Sequence, residues 1–240
     1  MLRYLKKLAK PYLHANIHNR NQWVIVQAAL VPKGFRVLDA GAGTAPYRPY
    51  FAHCDYKTQD FGQTPALAGQ YTKLDYEGDI TSIPAPDAFF DVILCTEVLE
   101  HVPRPIDVLQ EFARILKPGG KLIVTAPLGS FLHFEPHHYY GGYTPHWYSK
   151  FLTETGFSIE VITPNGGFFL WFAQEGLRMS DLISPRRTFH RPLRCIVLTP
   201  LWLITLPLFW GVFPLLAKSL DRAKLISSAT VGYHVIAIKC

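Results

Sequence analysis

Apolar residues occur along the chain in short blocks of two kinds. Continuous apolar runs at 35–40, 89–95 and 121–127 are typical of buried parallel strands. Segments 16–31 and 105–116 instead carry apolar residues at helical spacing, and the second is followed by a Lys-Pro-Gly-Gly helix stop. Strands that alternate with helices form βαβ units, so the pattern predicts an α/β fold built on a parallel sheet.

Two further strands are predicted near the end of the sequence, and a long insertion separates them. The first covers 158–162, after a helix over 144–155, and the second covers 233–239. The roughly 65 residues between them, 166–230, contain a stretch of 23 residues without a charge, 195–217. A bilayer crossing needs about 20 apolar residues, so this stretch is long enough to enter a membrane.

Several features of the uncharged stretch favour contact with one face of a membrane. Pro200, Pro207 and Pro214 would bend a continuous helix. Basic residues flank the stretch on both sides: Arg186, Arg187, Arg191 and Arg194 before it and Lys218, Arg222 and Lys224 after it. A single crossing would also leave the last strand on the wrong side of the membrane. We therefore predict a re-entrant or in-plane element, with a helix over 168–183 as its amphipathic approach. A dimer interface or a simple anchor is the alternative.

Composition limits the classes to which the protein can belong. Of 240 residues, 49% are hydrophobic and 18% charged, which excludes disorder, collagen and coiled coil as the main state. The four cysteines are scattered, which favours a reducing compartment, and the first 20 residues lack the pattern of a secretory signal. The net charge is +6, and residues 1–10 predict a short basic amphipathic helix that would bind lipid or the protein's own core.

The turn after the first strand carries the clearest chemical signal. Gly41 and Gly43 follow the strand directly, and glycines there let the backbone approach a ligand while a helix N-terminus favours anionic groups. A dinucleotide fingerprint needs a further glycine where this sequence has Pro46, which argues against NAD or FAD. Asp60 ends the next strand, where a carboxylate can accept hydrogen bonds from both hydroxyls of a ribose.

Five motifs in register over residues 34–165 resemble the class I S-adenosylmethionine-dependent methyltransferases, in particular the branch that includes enzymes of ubiquinone and menaquinone biosynthesis. They are Val37-Leu38-Asp39-Ala40-Gly41-Ala42-Gly43, Gly78-Asp79-Ile80, Phe90-Asp91-Val92, Glu97-Val98-Leu99-Glu100-His101-Val102 and Leu116-Lys117-Pro118-Gly119-Gly120. The resemblance implies a Rossmann-like seven-stranded sheet with helices on both faces, plus a hydrophobic helical insertion before the last strand. It also implies S-adenosyl-L-methionine as cofactor. The sequence departs from many relatives at Ala45, where they have a third glycine.

The resemblance assigns cofactor-binding roles by position. The residues concerned are Asp39, Gly41, Ala42 and Gly43 at the methionine part of the cofactor, Asp60 at the ribose, Asp79 and Ile80 at the adenine, and Thr96 and Glu97 at the border of the methyl-transfer site. Asp39 would orient the glycine turn. Such a site would lie where the strand order of the sheet reverses.

Histidines and tyrosines are concentrated after the fifth predicted strand, over 133–146. Relatives bind substrate in this region. Histidine titrates near neutral pH, so His137 and His138, together with Tyr139, are candidate catalytic residues that would contact or deprotonate an acceptor. The alternative is that these side chains only order a loop by hydrogen bonding.

A metal is a further alternative next to this region. On a helix, Glu97, Glu100 and His101 would share one face, and some quinone-pathway relatives with this pattern depend on metal. The pattern also occurs where metal is not required, so no metal ligand is assigned from sequence.

Three segments are expected. Residues 1–32 would form an N-terminal basic helical segment, 33–165 plus 231–240 the methyltransferase domain, and 166–230 a membrane-associating insertion. The predicted function is methyl transfer to a hydrophobic or lipid-linked acceptor at the cytoplasmic face of a membrane. The alternatives are a tethered small-molecule or glycan O-methyltransferase with a polar acceptor, and a non-catalytic cofactor-binding scaffold. Nucleic-acid methylation is disfavoured, because the basic residues flank the apolar stretch and no base-flipping motif occurs.

Overall fold

The computed structural model describes residues 13–63, 67, 69–71, 73–188, 192–222 and 229–240. The helix predicted over residues 1–10 lies outside this part of the chain. The helices are α1 Ala15–Ala29, α2 Pro105–Ile115, α3 Pro145–Glu154, α4 Phe168–Leu182, α5 Pro185–Thr188, α6 Pro192–Pro207 and α7 Phe213–Arg222. The strands are β1 Arg36–Ala40, β2 Asp55–Asp60, β3 Tyr76–Glu77, β4 Phe90–Thr96, β5 Leu116–Pro127, β6 Phe157–Pro164 and β7 Gly232–Lys239.

The seven strands form one sheet in the order β3-β2-β1-β4-β5-β7-β6. Strands β1 to β5 are parallel, and β7 lies antiparallel between β5 and β6. The predicted seven-stranded α/β architecture is therefore confirmed. The strand order reverses between β1 and β4, and the carboxyl ends of these strands border the crevice in which open α/β sheets bind ligands.

Alternate residues of the central strands bury opposite faces of the sheet. In β4, Ile93 packs into one apolar cluster with α2 residues, whereas Val92 and Leu94 pack into another with Val24 and Ala28 of α1. This alternation follows from the two-residue period of a strand and places helices on both faces. Strand β5 begins at Leu116, five residues before the predicted start, because Leu116 already pairs with Phe90.

The chain divides into two compact units, and the sheet with its flanking helices is one of them: residues 22–164 and 232–240. The second unit contains residues 165–231 and those before 22. Within the second unit, α4 packs against the uncharged stretch through a small apolar core: Ala15, Leu170, Ala173, Ala217 and Val231. A Cβ on Gly176 would lie 1.8 Å from Phe209 Cδ1, so a residue without a side chain is needed where this ring packs on α4.

The uncharged stretch forms a continuous helical run from Leu193 to Arg222 that includes a π-helical turn, Leu208–Val212, directly after Pro207. Its length and composition are sufficient to cross a membrane, and only 11% of its most apolar window is buried. Phe209, Phe213 and Ala217, spaced by four residues, face α4. The run is therefore apolar well beyond the one stripe that it uses for packing.

Candidate cofactor and acceptor site

The turn after β1 is held by backbone bonds to the end of β2. The amide groups of Gly41 and Ala42 donate to the carbonyl of Gln59 over 2.8 and 2.9 Å. Gly41 has φ +73°, and a Cβ there would lie 2.3 Å from Cγ2 of Val98. Both the left-handed backbone and the close neighbour require glycine. The turn therefore presents bare backbone at the carboxyl edge of the sheet.

Asp60 is fixed by two backbone donors. Its Oδ2 accepts from Gly43 N over 2.8 Å, and its Oδ1 accepts from Gly62 N over 3.0 Å. The side chain is buried, with 8% of the residue exposed. Each carboxylate oxygen has a second acceptor site, so Asp60 can still receive two further donors. This arrangement suits a vicinal diol such as a ribose.

Asp39 lies beneath the turn and does not line the cavity described below. It is 1% exposed, and the Tyr56 hydroxyl donates a hydrogen bond to its Oδ2. Burial raises the pKa of Asp39 to about 7, even though the bond from Tyr56 favours the ionised form. Burial and the neighbouring carboxyl raise the pKa of Tyr56 well above its usual range. Asp39 can therefore act on the turn only through the packing that supports it.

A cavity of about 350 Å³ opens at this edge of the sheet. It is lined by Gly41, Gly43, Gln59, Asp60, Phe61, Leu67, Gly78, Asp79, Ile80, Glu97, Val98, His101, Val102, Pro103, Phe134, His137 and Tyr139. Eight of the residues predicted from sequence are in this lining: Gly41, Gly43, Asp60, Asp79, Ile80, Glu97, His137 and Tyr139. Four are not: Asp39, Ala42, Thr96 and His138.

The end of the cavity after β3 has an acidic group next to an apolar one. Asp79 Oδ1 accepts from both the amide and the hydroxyl of Thr81, each over 2.8 Å, which fixes the orientation of the carboxylate. Ile80 is 8% exposed and lines the same cavity. The Gln59 amide donates to the carbonyl of Gly78 over 2.7 Å and joins this turn to β2. A flat ring with an exocyclic amino group would fit such a pair.

Glu97 is not helical, so the prediction that Glu97, Glu100 and His101 share a helix face is wrong. Glu97 has φ +54°, and its amide donates to the carbonyl of Thr125 over 2.8 Å. The Thr125 hydroxyl donates to Glu97 Oε1 over 2.9 Å. These bonds end β4 in a left-handed turn, and only Leu99–His101 forms a short 3₁₀ helix. Left-handed backbone in a non-glycine residue is strained and concentrates at functional sites.

The histidine-rich loop after β5 packs on that 3₁₀ turn. His101 Nδ1 donates to the carbonyl of His137 over 2.5 Å, and the amides of Tyr139 and Tyr140 donate to the carbonyl of Glu100. Burial lowers the pKa of His101 to about 4, despite that hydrogen bond. Burial also lowers the pKa of His138. These two imidazoles are therefore neutral near pH 7, and a neutral imidazole has a nitrogen lone pair available.

Sequence reasoning misses several residues of the lining. From the sequence, His101 is considered only as a possible metal ligand. In the structure its side chain lines the cavity beside Val102 and Pro103. Gln59 and Phe61 are the sequence neighbours of the predicted Asp60. The position of all three at the end of β2 is the signal from which Gln59 and Phe61 could have been predicted. Leu67 and Phe134 enter from loops whose pattern gives no sign of the cavity.

Residues 38–124 match the family model described as a methyltransferase domain. The demethylmenaquinone methyltransferase of Renibacterium salmoninarum is 36% identical over 106 residues, which cover 42% of this chain and 45% of the relative. The ubiquinone biosynthesis O-methyltransferase of Xanthomonas axonopodis pv. citri is 33% identical over 110 residues, 42% of this chain and 46% of the relative. The matched region thus spans just under half the length of these curated relatives.

The fold also resembles solved structures. Phosphoethanolamine N-methyltransferase 2 of Haemonchus contortus, solved with phosphomonomethylethanolamine and S-adenosylhomocysteine, is 16% identical and has a TM-score of 0.53 over 92% of this chain and 52% of the other. An identity this low shows the fold alone. Residues 38–124, which include the glycine turn and the buried Asp60, therefore match a methyltransferase domain, and the sheet unit resembles a solved methyltransferase in fold.

Proposed function

We propose that the protein transfers the methyl group of S-adenosylmethionine to a hydrophobic or lipid-linked acceptor at the cytoplasmic face of a membrane. The sulfonium cofactor supplies an activated methyl group, so the protein's contribution is to bind, orient and exclude water. The observation that carries the membrane part of this proposal is the exposed apolar helical run, Leu193–Arg222. The match of residues 38–124 to a methyltransferase domain supports the proposed methyl transfer.

The lining residues divide into a cofactor end and an acceptor end. The bare backbone at Gly41 and Gly43 would receive the methionine part, Asp60 would accept the ribose hydroxyls, and Asp79 with Ile80 would hold the adenine. Glu97 lines the same cavity and would border the methyl-transfer site. Thr96 and Ala42, which do not line it, would act through the backbone of the same turns.

At the acceptor end, His137 and Tyr139 line the cavity and are the stronger candidates to contact the acceptor or accept its proton. His138 lies outside the lining and would act by ordering the loop. A base is needed only where the acceptor is a hydroxyl or an acidic carbon. In that case the imidazole of His137 would take the proton that the acceptor gives up on methylation.

Two observations support a hydrophobic acceptor. The names of the curated relatives refer to demethylmenaquinone and ubiquinone biosynthesis, and quinones of this class have apolar tails. The loop that carries His137 and Tyr139 also exposes Phe131, Leu132 and Phe134 to solvent. Exposed apolar side chains beside a reaction cavity are expected where the substrate is apolar.

The base of the insertion supports contact from one side of the membrane. Asp221, at the end of the helical run, accepts from the amides of Gly167, Phe169 and Leu170 over 2.8, 2.9 and 3.1 Å. These amides begin α4, three residues after β6 ends. The end of the helical run therefore lies beside the start of α4.

The chain length after the run also argues against a single crossing. Arg222 ends the run, and Gly232 begins β7, which pairs with β6. Ten residues reach at most about 36 Å when fully extended. A return through a hydrocarbon core about 30 Å thick would need nearly all of that reach as unpaired backbone, which lipid does not tolerate. An in-plane or re-entrant placement avoids this cost.

Methyl transfer is tested with radiolabelled S-adenosylmethionine and a lipid extract of the source cells, followed by partition between organic and aqueous phases. The Gly43→Asp variant is the inactive control, because it puts a second carboxylate beside Asp60. Gly34→Asp is the matched control, since Gly34 has φ +82° and an added Cβ there would have no neighbour within 4 Å. Label in the organic phase for wild type and Gly34→Asp, and its loss in Gly43→Asp, supports a lipid acceptor.

Other outcomes of this experiment favour the other functions. Label confined to water-soluble material would mean a polar acceptor, such as a sugar, and an insertion that serves only as anchor or interface. Cofactor binding without any transfer would favour the scaffold.

Membrane contact is tested by flotation with vesicles that contain anionic lipid. A Leu203→Asp/Ile204→Asp double variant replaces side chains that are 57% and 63% exposed on the run. A membrane would bury these two side chains, each contributing about 1.5–3 kcal/mol, so their replacement should reduce vesicle binding more than about 100-fold. Val26→Asp/Leu30→Asp, with exposures of 56% and 66%, is the matched control. Equal flotation of all three proteins would contradict the proposed membrane contact.

A further inference from the structure

The cofactor turn, residues 40–47, has a backbone conformation that local sequence does not favour throughout. Gly41, Gly43 and Ala45 all have left-handed φ angles, of +73°, +53° and +52°. At Ala45, which carries a Cβ, this conformation is costly. A segment with three such residues at alternate positions keeps its shape only if contacts outside it fix its two ends.

One side chain, that of Tyr56 on β2, contacts the chain on both sides of this turn. Before the turn, the Tyr56 hydroxyl donates a hydrogen bond to Oδ2 of Asp39. After the turn, the guanidinium carbon of Arg48 lies 5.1 Å from the centroid of the Tyr56 ring, and the ring of Phe51 stacks on it with the centroids 5.5 Å apart. Arg48 and Phe51 are the first and last residues of a short 3₁₀ helix that directly follows the turn. Tyr56 therefore connects the two ends of the segment from a neighbouring strand.

Burial and charge strengthen this connection. Tyr56 is 8% exposed and Asp39 is 1% exposed, so their hydrogen bond is made away from water, where a bond to a carboxylate is strong. A guanidinium over the face of a phenol ring is attracted to the negative charge of that face. Burial raises the pKa of Asp39 to about 7, and both the bond from Tyr56 and the charge of Arg48 oppose this rise.

We infer that Tyr56 is a positioning residue for the cofactor: through Asp39 on one side and Arg48 on the other, it holds the turn 40–47 in its binding conformation before the cofactor arrives. The inference rests on the proposed function for the identity of the ligand, S-adenosylmethionine. In that proposal the backbone at Gly41 and Gly43 receives the methionine part of the cofactor, whereas other residues hold the ribose and the adenine. Loss of the connection should therefore weaken the binding of the methionine part most.

The substitution Tyr56→Phe removes the hydroxyl and keeps both ring contacts. In isothermal titration of the full-length protein, S-adenosylmethionine should bind this variant about 10-fold more weakly than wild type, because a buried bond to a carboxylate is lost and the turn must be ordered during binding. 5′-Methylthioadenosine has the adenine, the ribose and the sulfur of the cofactor but not its amino-acid part, so its affinity should fall by less than about 3-fold. Tyr50→Phe makes the same change at a tyrosine of the same 3₁₀ helix that is 46% exposed, and this matched control should bind both ligands as wild type does.

The other end of the connection is tested at Arg48. Arg48→Met removes the cation over the ring but keeps the bond between Tyr56 and Asp39, so it leaves no buried carboxylate without its donor. Its affinity for S-adenosylmethionine should fall by about 3-fold. Arg48→Lys should restore part of that affinity, because it restores a positive charge over the ring. This pair keeps the inference testable if Tyr56→Phe does not fold.

Two readouts test the connection without any ligand. Hydrogen exchange followed by mass spectrometry should show the amides of residues 41–47 exchanging at least about 10-fold faster in Tyr56→Phe than in wild type or Tyr50→Phe. In urea denaturation, the free energy of unfolding of Tyr56→Phe should continue to fall with rising pH beyond the pH at which wild type levels off. The reason is that Asp39 loses the bond that favours its ionised form, so its pKa in the folded state rises further.

Unchanged exchange of residues 41–47 in Tyr56→Phe would overturn the inference, as would a pH dependence of unfolding equal to that of wild type. Equal losses of affinity for S-adenosylmethionine and 5′-methylthioadenosine would also overturn it, because the effect would then not be confined to the turn. If wild type binds no S-adenosylmethionine, the proposed function is wrong, and the exchange rates alone then support or overturn the role of Tyr56 in holding the turn.

Discussion

The substitution Gly41→Ala tests whether the shape of the cofactor turn is imposed by its backbone angle, by its neighbour, or by both. Gly41 has φ +73°, and an added Cβ would lie 2.3 and 2.8 Å from the two methyl carbons of Val98. Left-handed backbone costs a residue with a side chain roughly 1–2 kcal/mol. Overpacking against Val98 adds about 1–3 kcal/mol. We therefore expect the free energy of unfolding to fall by about 2–5 kcal/mol.

Two further variants separate these contributions. Gly34→Ala has the same kind of backbone, φ +82°, with nothing within 4 Å of the added Cβ, so it should lose only the backbone cost. Gly41→Ala/Val98→Ala removes the overlap but keeps the backbone cost, so the double-mutant cycle should show a favourable coupling of about 1–3 kcal/mol.

The measurements are urea denaturation for stability and isothermal titration for the affinity of S-adenosylmethionine. Gly41→Ala should weaken cofactor binding, because the turn must shift away from Val98, whereas Gly34→Ala should bind normally. Equal losses of stability in Gly41→Ala and Gly34→Ala, with no coupling to Val98, would refute the steric part of the reasoning.

Three other variants probe different parts of the molecule. Asp221→Ala removes the acceptor of three amide groups at the start of α4, so the free energy of unfolding should fall by about 2–4 kcal/mol, and protease should then cut the insertion first while the sheet unit persists. Asp60→Asn should weaken cofactor affinity by about 1–3 kcal/mol, measured by titration, and should also lower the melting temperature, because its NH₂ group would face one of the two backbone donors, Gly43 N or Gly62 N. An unchanged affinity would exclude Asp60 from the ribose site. Burial raises the pKa of Asp39 to about 7, so the folded state keeps a proton that the unfolded state loses above about pH 4. The free energy of unfolding should therefore fall as pH rises from about 4 to 7. In urea denaturation, Asp39→Asn should flatten this pH dependence.

Much of the sheet and the cofactor turn can be predicted because local sequence determines them. Strand β2, Asp55–Asp60, ends at Asp60 as predicted. The glycine turn is recognisable because its left-handed angles and the approach of Val98 exclude other residues at Gly41. The strand pattern and the left-handed angle of Gly41 are local signals, whereas the contact with Val98 comes from a distant part of the sequence.

The acceptor end is predicted less well because distant contacts determine it. The spacing of Glu97, Glu100 and His101 suggests a helix, yet the amide and side chain of Glu97 both bond to Thr125 on the adjacent strand. No local pattern reports that partner. The sequence favours His138 over His101 for contact with the cavity. In the structure His101 lines the cavity and His138 does not, because the carbonyl of His137 orients the His101 ring. The partner of Glu97 lies 28 positions away in the sequence, and the partner of His101 lies 36 positions away.

The position of β7 has a consequence for synthesis on the ribosome. Among the strands that the structure describes, β6 pairs only with β7, and β7 emerges after the 67 residues of Asn165–Val231. At translation rates of about 5–20 residues per second, β5 and β6 wait roughly 3–13 seconds with open edges. Open strand edges are templates for wrong pairing, and an apolar insertion is emerging during that same interval. Early capture of the insertion by lipid would remove the more aggregation-prone surface before the sheet is complete. The yield of this protein in cells should therefore depend on the available membrane area more strongly than the yield of a soluble methyltransferase domain does.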